Sequence, residues 1–158
     1  MTPVIEKATR NDIDSIIKMQ AKLLALHEPF SNKYKTRRDA TLIFKKYLKG
    51  LINKKDAVIF LAKENRKSIG YAIVKVNDLP PIFEISKEAR ITDLFVESQH
   101  RSKGIGEALI SASINWAKKK KLSLVSLIAD VKNTTAIDFY KKQKFKVRRL
   151  TMVKNVSP

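Results

Sequence analysis

Residues 101–106 read Arg-Ser-Lys-Gly-Ile-Gly, and a helical pattern begins inside them. Gly104 and Gly106 lack the Cβ atoms that would hold a ligand off the backbone. Amides that open a helix have no carbonyl partner within it and carry partial positive charge. Arg101 and Lys103 add full charges. A turn of this build cradles a phosphate or pyrophosphate. Two other phosphate motifs do not fit. No GxxxxGK(S/T) stretch occurs, and Leu109 stands where a dinucleotide fingerprint needs its third glycine. The pattern present is R/Q-x-x-G-x-G/A after a strand. The competing explanation is a helix start that needs glycine only for packing.

The flanking elements must position this turn. Residues 89–97, "ARITDLFVE", read as a strand running straight into it. Behind it Ile105, Ala108, Leu109, Ala112 and Trp116 share a helical face, and 122–129 reads as a further strand. A strand–helix–strand unit over 89–129 implies a right-handed parallel crossover. Upstream, 4–8 reads as a short strand. Helices follow behind two box-like starts, Thr9 to Asp12 and Thr36 to Asp39. The first carries Ile13, Ile16, Ile17 and Leu24, and the second Ala40, Ile43, Phe44, Tyr47, Leu48 and Leu51. Residues 57–62 and 68–76 read as a hairpin, and Pro80 and Pro81 interrupt the chain. Asn133 opens a short helix, and 145–153 reads as a last strand. The expected order is β-α-α-β-β-β-α-β-α-β in one α/β domain spanning 1–158. Its sheet is mixed, with helices on both faces.

Composition narrows the chemistry. The 158 residues include no cysteine, which excludes disulfides and thiol nucleophiles, and two histidines argue against zinc. No apolar run nears the ~20 residues of a membrane span, and the N-terminus has no signal-peptide core. A cytoplasmic protein without membrane association is expected. Lys and Arg number 33 against 15 Asp and Glu, a net charge of +18. Such a field attracts anions. The lysines nevertheless scatter along outer helix faces. The run Lys118 to Lys121 suits the negative end of a helix dipole.

Leu94-Phe95-Val96 leads into the turn with Val96 five residues before Arg101, and "NTTAIDFY", 133–140, follows one strand later. With the element order and "SIGYA" at 68–72, this resembles the GNAT superfamily of acetyl-CoA-dependent N-acetyltransferases over roughly residues 3 to 153. The resemblance implies a GNAT-type, mostly antiparallel sheet with a central parallel crossover. It implies that the backbone of Arg101, Ser102, Lys103, Gly104, Ile105, Gly106 and Glu107 holds the CoA pyrophosphate. The main chain of Leu94, Phe95 and Val96 would pair with the pantetheine arm. Asn133 would hold the arm or its loop, with Ala136 beside it, and Tyr140 would lie near the thioester sulfur. Lys144 stands where the family usually has glycine, so it must take a turn that glycine normally takes.

An amine must lose a proton before it attacks a thioester, because an alkylammonium titrates near ~10.4. The departing thiolate needs a donor, and backbone amides at the splayed strand could stabilise the oxyanion. Tyr140 is the expected donor. Relatives that acetylate polyamines carry Glu-Asp where this chain has Thr92-Asp93, so Asp93 is the expected base, acting directly or through water. Glu84 and Glu88 are fallbacks. The acceptor side is expected from the loop after the first helix and from 77–88, with His27, Glu28, Tyr34, Asp78 and Glu84. Those carboxylates point to a small cationic amine. A protein lysine or N-terminus is the alternative. His100 is expected only to line the turn. No metal and no specific nucleic acid are expected, and a homodimer stays open. From other classes, a non-catalytic acyl-CoA sensor and a basic nucleic-acid-binding protein compete.

Overall fold

The computed structural model describes residues 3–31 and 35–156. These fall into two compact units that meet at Ile128 and Ala129.

The first unit is built on a five-stranded sheet in chain order. Its strands are β1 (Val4–Lys7), β2 (Ala57–Glu64), β3 (Lys67–Asp78), β4 (Lys87–Val96) and β5 (Val125–Leu127). All neighbours are antiparallel except β4 and β5, which run parallel. Helix α3 (Ile105–Lys119) makes that crossover, as the sequence requires. Between β2 and β3, Asn65 and Arg66 both take positive φ, of 50° and 64°. That is the type I′ geometry whose twist matches a hairpin.

Strand periodicity divides the core into two layers. Ala57, Ile59, Leu61, Tyr71, Ile73 and Phe95 pack on α1 (Ile13–His27) and α2 (Ala40–Leu51) through Ile16, Met19, Leu23, Leu48 and Leu51. Gly70 faces the other way: a Cβ there would stand 3.4 Å from Leu109 Cδ1 and 2.8 Å from the Phe95 carbonyl oxygen. Helix α3 covers this second face with Ile105, Leu109, Ile110, Trp116 and Ala117 buried. The buried seam of α1 runs through Ile13, Ile16, Met19 and Leu23, while Ile17 and Leu24 sit at its margin.

Helix starts differ from one another. At Thr9 the expected box forms. Asp12 accepts from the Thr9 amide at 2.8 Å and hydroxyl at 2.7 Å, and Lys63 bridges Asp12 and Glu6, both at 2.7 Å. At the second start Asp39 is itself the N-cap, and its carboxylate is held by Arg37 at 2.9 Å. Charge pairing with Arg37 takes the carboxylate that a box with Thr36 would have used.

The second unit contains α4 (Thr134–Lys142), capped by Asn133 Oδ1 accepting from the Ala136 amide at 3.1 Å. Phe139, Tyr140 and Phe145 form a small ring cluster. Lys144 takes φ 68°, the left-handed turn expected of it. The strand expected over 145–153 does not form: Val147, Leu150, Met152 and Val153 are exposed, and none enters a ladder. Alternating apolar residues give a segment the tendency to pair, but only a partner edge makes it a strand. Strand β5 is likewise shorter than 122–129, because pairing reaches only three residues of β4.

Burial raises the Asp12 carboxyl, but the bonds from Lys63 and Thr9 outweigh it and hold the group below its ordinary range. A carboxyl depressed in the fold contributes stability that is present above about pH 4 and is lost as pH falls. Asp12→Asn should therefore cost about 1–3 kcal/mol at neutral pH. It should also flatten the acid limb of stability, both read by urea unfolding between pH 3 and 7.

Candidate active site

Strand β4 carries an irregularity that organises the site. Its register with β3 steps from Val74↔Ile91 to Ile73↔Asp93, leaving Thr92 without a partner. One extra residue reverses the phase of side chains beyond it. Below the bulge Ile91 shares the α3 side with Val74. Above it Asp93 and Phe95 share the α1/α2 side with Ile73 and Tyr71. The bulge thus turns Asp93 toward the helix pair. Thr92 Oγ1 donates to Asp93 Oδ2 at 3.0 Å.

β4 and β5 part at the same level. Their parallel register ends at Ile91↔Leu127. Just below, Glu88 accepts from Ser126 of β5 at 2.8 Å, from Arg90 at 2.7 Å and from Asn77 at 3.2 Å. This clamp closes the lower end of the split. It also engages Glu88, a buried carboxylate tied to three donors, in holding strands together and not in proton transfer.

Above the split the free edge of β4 can be resolved residue by residue. The Glu97 amide donates to the Ile69 carbonyl at 2.9 Å, so by two-residue alternation Phe95 also faces β3. Of the three residues expected to pair with an extended ligand, Leu94 and Val96 present their main chain to the opening. Phe95 spends its main chain on the sheet and its ring in the core. The Val96 carbonyl is already taken by Arg101 Nε at 3.0 Å. Arg101 also lies over the Phe95 ring at 5.9 Å. Its side chain therefore pins the turn to the strand.

The turn has the conformation its glycines suggested. Gly104 caps α3 at φ 76°, the left-handed region. Ser102 is also left-handed at φ 59°. Ile105, Gly106 and Glu107 follow in the first helical turn, where no intrahelical carbonyl meets their amides. No side chain caps this helix. Residues 101–104 are exposed, Lys103 among them. An open, basic helix N-terminus beside a free strand edge fits an extended ligand with a pyrophosphate. His100, just before the turn, has Nδ1 3.5 Å from Glu64 of β2.

Around Asp93 the structure assembles groups that lie far apart in sequence. Burial raises its carboxyl, opposed by the Thr92 hydroxyl and by His27 and Lys75. His27, expected in a loop, is the last residue of α1. Tyr71 was not anticipated: it is fully buried, its hydroxyl has no hydrogen-bond partner among the described residues, and burial together with the Asp93 charge pushes it up. Its only sequence signal was an aromatic inside an apolar strand, which describes any core tyrosine.

None of the expected acceptor carboxylates is among the groups that act on Asp93. Glu28 begins an exposed turn after α1, and Glu84 lies in the exposed loop 79–86. Asp78 is exposed opposite Lys87 at 3.9 Å. Tyr34 lies outside the described residues. In the second unit, Asn133 and the Ala136 amide are engaged with each other at the cap, and burial raises the Tyr140 hydroxyl.

The model of the acetyltransferase (GNAT) family matches residues 21–145. The chain belongs to the GNAT family. An uncharacterised N-acetyltransferase of Methanocaldococcus jannaschii is 30% identical over 98% of this chain and 68% of its own. Among solved structures, a predicted acetyltransferase of Clostridium acetobutylicum with acetyl-CoA superposes at TM-score 0.81, with 20% identity over 98% and 96% of the two chains. An aminoglycoside acetyltransferase from an uncultured soil sample, in complex with sisomicin, gives 0.72 and 24% over 99% and 97%. This GNAT protein is thus an acyltransferase with the family fold. Among its described residues no helix is long and apolar enough to cross a membrane. Nor does any group of His, Asp and Glu suit a metal ion.

Gly104→Glu puts a carboxylate into the anion site and a side chain onto a left-handed residue. It should weaken CoA binding at least about tenfold, equivalent to ~1.4 kcal/mol, in calorimetric titration. Unchanged CoA affinity would remove the turn from the binding site.

Proposed function

We propose that the chain, acting as one catalytic domain, moves an acetyl group from acetyl-CoA to a small primary amine within a ternary complex. The observation that carries this reading is the bulge at Thr92. It sets a half-buried carboxylate on one side of β4 just where the free edge of the strand begins. The absence of cysteine supports direct attack over an acyl-enzyme.

Acetyl-CoA supplies the activated thioester. The 101–107 turn would hold its pyrophosphate, and the Leu94 and Val96 main chain would align its arm as an added strand. Asp93 would take the ammonium proton, directly or through a water. The amine nitrogen then bonds to the acetyl carbon as the carbon–sulfur bond breaks, and the new amide nitrogen gives up its second proton to solvent. Tyr140 would return a proton to the thiolate. Its hydroxyl, raised by burial, keeps its proton at neutral pH and so suits a donor.

Thiol release from acetyl-CoA, followed with a thiol reagent, tests the reading without background from the cysteine-free protein. Asp93→Asn should lower kcat at least about 100-fold. Because burial raises Asp93, the wild-type rate should rise with pH through a limb above the ordinary carboxylate range, and Asp93→Asn should lose that limb. Tyr140→Phe should slow turnover while leaving acetyl-CoA affinity unchanged. Wild-type kinetics in Asp93→Asn would sink the assignment of the base.

A further inference from the structure

On the α1/α2 side of the sheet, a cleft of about 400 Å³ runs along α2. Ile43, Tyr47 and Leu51 give it apolar walls, and Lys46, Lys54 and Lys75 line it with charge. Among the described residues no carboxylate lines it. Gly50 also borders it, with nothing within 4 Å of where its Cβ would stand, so α2 leaves the space open there.

The cleft adjoins the candidate base through β3. Lys75 and Ile73 lie on the same face two residues apart, and Ile73 is the cross-strand partner of Asp93. The Lys75 ammonium lies 5.3 Å from the Tyr47 ring centroid, which orients it along the cleft. Its charge also reaches Asp93. Arg90, the partner of Lys75 across the strands, adds a further cation on that face. Its guanidinium is held by Glu88.

This distribution opposes the expectation of a cationic acceptor. A polyamine or aminoglycoside entering beside Lys75 would meet like charge. A molecule with its amine at Asp93 and an anionic group a few ångströms away would meet complementary charge at both ends. From the placement of Lys75 near Asp93, with Lys46 and Lys54 lining the same cleft as Lys75, we infer that the acceptor is a small primary amine bearing a phosphate or carboxylate, with its anionic end seated in the α2–β3 cleft. The inference deepens the proposed transferase reading and rests on it for the position of the amine. Lys75 is a positioning residue in this scheme. Lys46 and Lys54 read only the anion.

Matched amines test it. Initial rates of thiol release would be compared for O-phosphoethanolamine against ethanolamine, and for 4-aminobutyrate against butylamine, with spermidine as the polycation. The expected result is a kcat/KM about tenfold higher for at least one anionic member than for its neutral-tailed counterpart. That advantage should shrink as salt is raised. The phosphate and carboxylate arms show which anion is read. The exposed double substitution Lys46→Glu/Lys54→Glu should raise KM for the anionic amine about tenfold while leaving its kcat and the ethanolamine rate unchanged. Gly50→Leu fills the cleft with a residue that also favours helix, so it should raise the same KM without lowering Tm. Calorimetric titration of O-phosphoethanolamine into wild type and the double variant reads the cleft independently of turnover. Binding that the double variant loses, without acetyl transfer to any amine, would sink the transferase reading and keep the anion site. Preference for spermidine, equal rates within each matched pair, or unchanged anion binding in the double variant would each overturn the inference.

Discussion

The site depends on one extra residue in a strand. Thr92 has no register partner on β3, and the side chains beyond it change face. Without that step Asp93 would share the α3 side with Ile91, and Phe95 would leave the core it forms with Tyr71. The same step coincides with the end of β4–β5 pairing. A carboxylate directed to one side and a free strand edge therefore arise together. Both follow from a local break in the ladder.

Such a break needs support on each side. Below it, the buried Glu88 with Ser126, Arg90 and Asn77 ties β5 to the sheet. Above it, Arg101 returns to the Val96 carbonyl, and Lys22 of α1 holds Glu97 at 2.7 Å. The edges of the opening are thus fixed by charged hydrogen bonds, which are stronger than neutral ones. Other parts, by contrast, are left open: residues 101–104 are exposed, and the Leu94 main chain and the Val96 amide face away from β3. An unpartnered Tyr71 hydroxyl near a raised Asp93 carboxyl marks where packing yields to other demands. Buried polar groups without partners are rare enough to need a reason.

The placement of charge could not be read from composition. Glu28, Asp78 and Glu84 lie in or near the expected loops, and all are exposed. The lysines were read as solvated faces. Most are, but Lys46 of α2 and Lys54 in the turn after that helix line one cleft together with Lys75 of β3. A stripe of helix and a strand residue become neighbours only when the helix docks.

Local chemistry settled much of this protein from its sequence. Glycine at 104, with its left-handed turn, the β-branched hairpin, and the helical face from Ile105 to Trp116 are consequences of short-range sterics and periodicity. So is the strained turn at Lys144. The motif from Leu94 to Gly106 was legible for the same reason, since it is contiguous. Tertiary structure decided the rest. A bulge changes no residue type and depends on the partner strand, so the facing of Asp93 could not be read from "ITDLF". Phe95 was lost as a main-chain contact because register, a property of two strands, aims its amide inward. The segment 145–153 has the alternation of a strand without a partner edge. His27, Tyr71, Lys75 and Asp93 lie up to 66 residues apart in sequence, and only the packing of α1 and the sheet brings their charges to bear on one another.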